Sequence, residues 1–139
     1  MTREILFRGK RIDNGEWVYG CVLKDYITGQ YFIHACGNSV YESDKTGEEG
    51  LLRFVAYEVD PETVCQYTGL NDKNGRKIFD GDIEKDRSCD LYTVNWSDEN
   101  GMYEVRQYNC SMTNFETFFA CGCEVIGNIY DNPELMEVC

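Results

Sequence analysis

The chain has 139 residues, which suits one domain or two very small ones with a real hydrophobic core. Its hydrophobic fraction of 42% and aromatic fraction of 14% exclude a disordered chain, and its ten tyrosines and seven phenylalanines favour strands over helices. With 13 basic and 25 acidic side chains the net charge is −12, so direct binding to a nucleic-acid backbone is not expected.

The N-terminal residues are predicted to form a β-hairpin. Two strand-like runs, residues 5–12 and 16–23, flank an Asp-Asn-Gly turn at residues 13–15. Alternation along the second run places three side chains on one face. We expect this face to be packed, and the alternative is an aromatic binding strip. Its residues are Trp17, Tyr19 and Cys21.

A turn at Thr28-Gly29 precedes a third predicted strand, residues 31–36, which contains the only histidine of the chain, His34. A lone histidine in an apolar strand is more often packed than catalytic, so His34 is interpreted as structural. Glycines, serines and acidic residues make residues 37–50 an expected flexible loop. Residues 51–59 then form a fourth strand, which proline ends at Asp60-Pro61.

The central run, residues 65–85, contains the strongest turn signals of the chain. Asn74-Gly75 lies between two strand-like runs and predicts a hairpin. Asp80-Gly81-Asp82 predicts a second tight reversal immediately afterwards, with Gly81 at positive φ. Side chains of the first turn are expected to bond their own main chain.

The C-terminal part predicts another hairpin and a final strand. Residues 91–96 and 102–106 pair across a turn that closes on Asn-Gly, and residues 123–130 form the last strand. Residues 114–121 are rich in phenylalanine and fit either a short helix or a strand end. Asn132-Pro133 predicts the cap and first turn of a short C-terminal helix.

Several blocks of this sequence, in this order, resemble the YopX family of bacteriophage and prophage proteins. The resemblance covers nearly the whole chain, and residues 31–53 match least. It implies a small SH3-like barrel in the C-terminal part, and it implies no particular chemical activity. The blocks are Arg3-Glu4-Ile5-Leu6-Phe7-Arg8, Tyr67-Thr68-Gly69-Leu70, Asp72-Lys73-Asn74-Gly75, Phe79-Asp80-Gly81-Asp82-Ile83 and the run from Val125 to Leu135.

The predicted fold class is therefore all-β with one short C-terminal helix. An N-terminal β subdomain, residues 1–60, includes the loop 37–50, and a C-terminal SH3-like barrel covers residues 61–139. The N-terminal hairpins are expected to form a small sheet packed on that barrel.

Two groups of residues are candidate metal sites, although neither is the favoured interpretation. Asp80, Asp82 and Glu84 could hold a divalent cation for a metal-dependent enzyme, but carboxylates at such a turn usually bond nearby main-chain donors. Cys121 and Cys123, joined by Cys89 or Cys110, could bind zinc, but the spacing lacks the usual two intervening residues. We expect free thiols, and we assign no catalytic, cofactor or metal site.

The favoured function is a non-enzymatic protein-binding module whose partner is a host or phage protein, with homo-oligomerisation left open. An acidic DNA mimic that inhibits a host nucleic-acid enzyme is the alternative, because residues 86–139 hold ten acidic and two basic groups, net −8. No secretory leader or apolar run of membrane-spanning length is visible, so the expected location is the cytoplasm of a bacterial host.

Overall fold

The computed structural model describes the backbone of residues 4–42, 51–107, 113–114 and 122–136. Within these ranges, side chains are described except at residues 36–42, 51–55, 107 and 113–114. Contacts divide the chain into two compact units. One comprises Ile5–Gln66, and the other comprises Tyr67–Cys139 together with Met1–Glu4.

The first unit is an antiparallel sheet built from successive hairpins. Its strands are β1 (Phe7–Lys10), β2 (Trp17–Lys24), β3 (Tyr31–Glu42) and β4 (Leu51–Val59). They follow the order β4-β3-β2-β1, and Phe7 and Arg8 of β1 also pair with Gln66 and Cys65. An isolated bridge between Arg11 and Val59 brings the end of β4 beside the end of β1.

Proline ends β4 as the sequence predicts. Asp60 caps a single 3-10 turn, Pro61–Thr63, by accepting a hydrogen bond from the backbone N–H of Glu62. The strand β5 (Cys65–Asn71) follows and passes from the first unit into the second.

The second unit contains a hairpin that follows β5 and a five-stranded antiparallel sheet. The further strands are β6 (Lys77–Phe79), β7 (Asp82–Lys85), β8 (Leu91–Ser97), β9 (Met102–Gln107), β10 (Thr113–Asn114) and β11 (Glu124–Asn128). Strands β5 and β6 form the hairpin, and the order of the sheet is β10-β9-β8-β7-β11. The described strands do not close into a barrel, so the expected SH3-like closure is absent from the described residues.

The core of the second unit lies on one face of this sheet. Its centre is a cluster of small and β-branched side chains, against which Leu70, Tyr92 and Tyr103 pack. Burial of each such side chain stabilises the fold by about 1.5–3 kcal/mol. The cluster consists of Ile78, Val94, Val105, Cys123 and Val125.

The structure confirms the all-β class and the predicted hairpins, and it corrects two boundaries. The predicted loop 37–50 is wrong over residues 37–42, which continue β3; residues 43–50 lie outside the described residues. The expected C-terminal helix is only a 3-10 turn, Pro133–Met136. Residues 115–121, left open as helix or strand, are also outside the described part. None of the described helices has the length and apolar character needed to span a membrane.

Candidate functional site

The acidic residues of the second reversal do not converge as one trio. Gly81 has φ +84°, as predicted, and this left-handed residue separates Asp80 from the strand β7 that contains Asp82 and Glu84. Asp80 is half-buried, whereas Asp82 and Glu84 are 1% and 0% exposed. Only these two share a face of β7, because side chains alternate along a strand.

Asp82 stabilises the reversal itself, which confirms the structural interpretation for this residue. Its Oδ2 accepts a hydrogen bond of 2.8 Å from the backbone N–H of Phe79. The peptide of Gly81 is fixed on both sides, since its N–H donates to the carbonyl of Val94 and its carbonyl accepts from Ile129. Such an arrangement makes a rigid turn.

Asp72 organises the β5–β6 turn and also ties it to the last strand. Its Oδ1 accepts from the backbone N–H groups of Asn74 and Arg76, both at 2.9 Å. Its Oδ2 accepts from the N–H of Val125 at 2.9 Å, although the two residues are 53 positions apart. The turn contacts follow the predicted main-chain bonding, and the contact with Val125 was not predicted.

Glu84 is the unusual member of this acidic cluster, which we define as Asp72, Asp82 and Glu84. Neither of its carboxylate oxygens has a hydrogen-bond partner. Burial, and then the charges of Asp82 and Asp72, raise the pKa of Glu84 to about 7. The Cys123 thiol acts on the carboxylate as a weak donor and lowers this pKa somewhat, but its geometry falls short of a full hydrogen bond.

The geometry of the described residues gives little support to either metal-site hypothesis. No group of three or more histidine, cysteine or acidic side chains in the described ranges is arranged to hold a metal ion. Cys123 is fully buried in the core, and Cys89 is exposed in a turn where it has φ +66°. Cys121 and Cys110 lie outside the described residues, so the zinc hypothesis has no assembled ligand set in the part of the chain that is described.

The thiols of the described cysteines should differ sharply in reactivity. Burial, and then the charge of Glu84, raise the pKa of Cys123 to about 12, so its reactive thiolate is scarce. Under native conditions we expect a maleimide to modify the exposed Cys21 and Cys89 and to spare the buried Cys65 and Cys123. Peptide mass spectrometry measures the result, with denatured protein as the fully labelled control. Labelling of Cys123 as fast as Cys21 would contradict the burial.

The aromatic face of β2 is less buried than predicted. Trp17 is half-buried under the guanidinium of Arg8, which lies 4.6 Å from the ring centroid. Tyr19 is 46% exposed and Cys21 is exposed, so the prediction of a packed face is wrong for both. The lone histidine, His34, is half-buried in β3 opposite Cys21.

A rigid turn between β2 and β3 presents two large apolar side chains to solvent. Tyr26 is 88% exposed and Ile27 is 96% exposed, the highest values among the large hydrophobic side chains that the structure describes. The Oδ1 of Asp25 accepts from the backbone N–H groups of Ile27 and Thr28, which lowers the pKa of Asp25. The N–H of Gly29 donates to the carbonyl of Asp25 at 2.8 Å. We call residues 25–30 the projecting turn.

The sequence predicts a turn here but not its two anchors. Tyr26 and Ile27 lie between a strand and Thr28-Gly29, where large apolar side chains are uncommon because turns favour small and polar residues. That mismatch is the signal that could have identified them. Lys24 flanks them, with its Nζ 5.3 Å from the ring centroid of Tyr26.

The fold and these features define an all-β protein of two antiparallel units, with a buried acidic cluster in one and an exposed apolar turn in the other. The chain belongs to the YopX family, whose model, described as "YopX protein", matches residues 6–137. It is also similar to the crystal structure of protein EF1440 from Enterococcus faecalis. That likeness has a TM-score of 0.65 at 22% identity and covers 97% of this chain and 99% of the other. It supports the fold alone, and no curated protein matches this sequence.

Proposed function

We propose that this protein is a non-enzymatic binding module that attaches to another protein, of the host or of a phage, through the projecting turn. The observation that supports this proposal most directly is the concentration of exposed apolar side chains in the described part of the first unit. Among the residues whose side chains are described, six of the seven exposed large hydrophobic residues lie between residues 5 and 27, and the seventh is Trp96. The six are Ile5, Ile12, Tyr19, Leu23, Tyr26 and Ile27.

Preorganisation supports a binding role for the turn. Main-chain and side-chain hydrogen bonds hold its backbone in place, so little conformational entropy is lost when a partner engages it. Aromatic and aliphatic anchors on a rigid loop fill apolar clefts and dominate many protein interfaces. Leu23, on the strand that leads into the turn, is a further exposed apolar side chain, with 51% of its surface accessible.

The alternative function, an acidic DNA mimic, is less well supported by the described residues of the acidic region, residues 86–139. Several carboxylates of the acidic region bond to groups of their own sheet and are not displayed freely. Asp98 accepts from the indole N–H of Trp96, Glu104 accepts from Asn100, and Glu124 forms an ion pair with Lys85. A mimic needs a regular row of unengaged negative charges to compete with a phosphate backbone.

Replacing both anchors with serine should strongly weaken binding without unfolding the protein. Because Tyr26 and Ile27 are almost fully exposed, the free energy of unfolding of the double variant Y26S/I27S should change by no more than about 0.5 kcal/mol. Loss of two anchors should weaken partner affinity at least about 30-fold. A photo-crosslinking residue at position 27, analysed by mass spectrometry of adducts formed in bacterial cells, identifies the partner whose affinity is then measured.

The matched control carries the same crosslinker at Glu99, an exposed residue in the β8–β9 turn. One defined adduct from position 27, absent from position 99 and absent when Tyr26 is serine, is the expected result. A nucleic-acid enzyme captured only from position 99, and released at high salt, would favour the DNA mimic instead. Turnover of a metabolite by the purified protein would overturn the non-enzymatic proposal.

A further inference from the structure

Glu84 projects from the core face of the C-terminal sheet. It lies opposite Tyr92 of β8 and Val125 of β11, and alternation places it on the same face as Val94. Val94 pairs with Val105, and both are fully buried in the apolar cluster. A carboxyl group therefore lies among hydrocarbon side chains.

The surroundings of Glu84 offer little that would stabilise a negative charge, since the Cys123 thiol is only a weak donor. A buried carboxylate without hydrogen bonds is strongly destabilised, and neither oxygen of Glu84 has a hydrogen-bond partner. Asp82 on the same strand and Asp72 from the β5–β6 turn add negative charge to it. The Tyr92 hydroxyl donates to Asp86, and Cys123 is a buried neutral thiol.

The nearby cationic side chains, as the structure describes them, do not pair with Glu84. Lys85 and Lys73 form ion pairs with Glu124, and Lys85 alternates to the opposite face of β7 from Glu84. The guanidinium of Arg87 lies beside Gly122, within about van der Waals distance of where a Cβ would stand. It makes no hydrogen bond to Glu84.

We propose that Glu84 is a neutral carboxylic acid in the stable form of this sheet, which makes the C-terminal unit a proton-dependent structure that loosens as pH rises through neutrality. The geometry supports it, because a proton removes the buried charge and relieves repulsion from Asp82 and Asp72. The raised pKa of Glu84, about 7, places the transition near neutral pH.

The direction of the effect follows from proton linkage. In the unfolded chain Glu84 has its ordinary pKa of 4.5, and in the folded chain about 7, so the folded state binds the proton more tightly. The stabilisation that protonated Glu84 contributes to folding is fully present below the pKa of Glu84 in the unfolded chain. It is lost progressively as pH rises from about 4.5 to about 7. Above the folded pKa the penalty of the buried charge is complete.

Chemical unfolding of wild type and Glu84→Gln between about pH 5 and pH 8 tests the proposal, because glutamine is a neutral isostere at every pH. The ratio of their unfolding constants should change about 100-fold across this interval, with the wild type losing stability relative to the variant as pH rises. A ratio that does not vary with pH would overturn the proposal. The control Glu104→Gln removes a glutamate that is 9% exposed and accepts from Asn100, and should leave the pH dependence in place.

A second measurement uses the wild-type protein and does not depend on whether the Glu84→Gln variant folds. Carbon-13 NMR of the wild-type protein, labelled at glutamate carboxyl carbons, should show one resonance titrating near pH 7. Glu84→Gln, where it folds, should remove that resonance and so assign it. If all glutamate resonances titrate in the ordinary acidic range, Glu84 is charged at neutral pH and the proposal fails.

Discussion

Replacing Asp72 with alanine should lower the free energy of unfolding by about 3–5 kcal/mol, one of the largest effects of any single substitution in this chain. Asp72 is 5% exposed and accepts three backbone hydrogen bonds, two inside the β5–β6 turn and one from β11. Alanine leaves all three N–H groups without this acceptor. The free-energy cost is greatest for the N–H of Val125, because this residue is buried in the sheet.

Asparagine at position 72 separates the turn from the strand contact. Its carbonyl oxygen can accept from Asn74 and Arg76, but its amide nitrogen cannot accept from the N–H of Val125. We therefore expect a smaller loss for Asp72→Asn, about 1–3 kcal/mol. Both variants should be measured by chemical unfolding at about pH 6, because removing Asp72 also lowers the pKa of Glu84 and would offset part of the loss at higher pH.

The control for this series is Asp98→Asn, at an exposed turn residue that accepts from the indole of Trp96. Its effect should stay within about 0.5 kcal/mol, since an exposed hydrogen bond is replaced by water. Hydrogen exchange at Val125 provides the local readout, and its amide should lose protection in both Asp72 variants. A loss for Asp72→Ala no greater than that of the control would show that Asp72 does not connect the turn to β11.

Much of the fold could be predicted because its turns have local chemistry. Asn74-Gly75 and Asn100-Gly101 each force a reversal that any strand pair must follow, and Pro61 removes the donor that would continue β4. Gly81 is at positive φ for the same local reason. Hairpin connections then make neighbouring strands antiparallel, so the order β1 to β4 and the β8–β9 pair follow directly.

The candidate site was less predictable because it depends on contacts between distant segments. The hydrogen bond from Val125 to Asp72 spans 53 positions, and no local sequence pattern indicates it. Glu84 reads as one of three acidic residues at a turn, and only the pairing of β7 with β8 and β11 shows that it faces the core. Likewise, β3 continues through residues 37–42, which include the turn-favouring Gly37, Asn38 and Ser39, because β4 supplies the pairing partners.

Gly20→Ala should disrupt the first unit, with a loss of about 3 kcal/mol or more in the free energy of unfolding. Gly20 is buried in the middle of the sheet, where β2 pairs with both β1 and β3. A Cβ at this position would stand 1.8 Å from the backbone oxygen of His34, and a backbone atom cannot rotate away as a side chain can. Glycine inside a strand often marks such a close approach of another backbone.

A matched glycine separates this steric conflict from the general cost of losing a glycine. Gly15 has φ +71° in the β1–β2 turn, and a Cβ there would meet nothing within 4 Å. Gly15→Ala should therefore cost only the left-handed strain, about 1–2 kcal/mol. Thermal and chemical unfolding of the two variants give the comparison, and amide exchange along β2 and β3 locates the damage. Equal losses for the two would mean that β2 and β3 do not approach as closely at Gly20 as the structure places them, because a Cβ at Gly20 would meet the backbone of His34 and Ala35, whereas one at Gly15 would meet nothing.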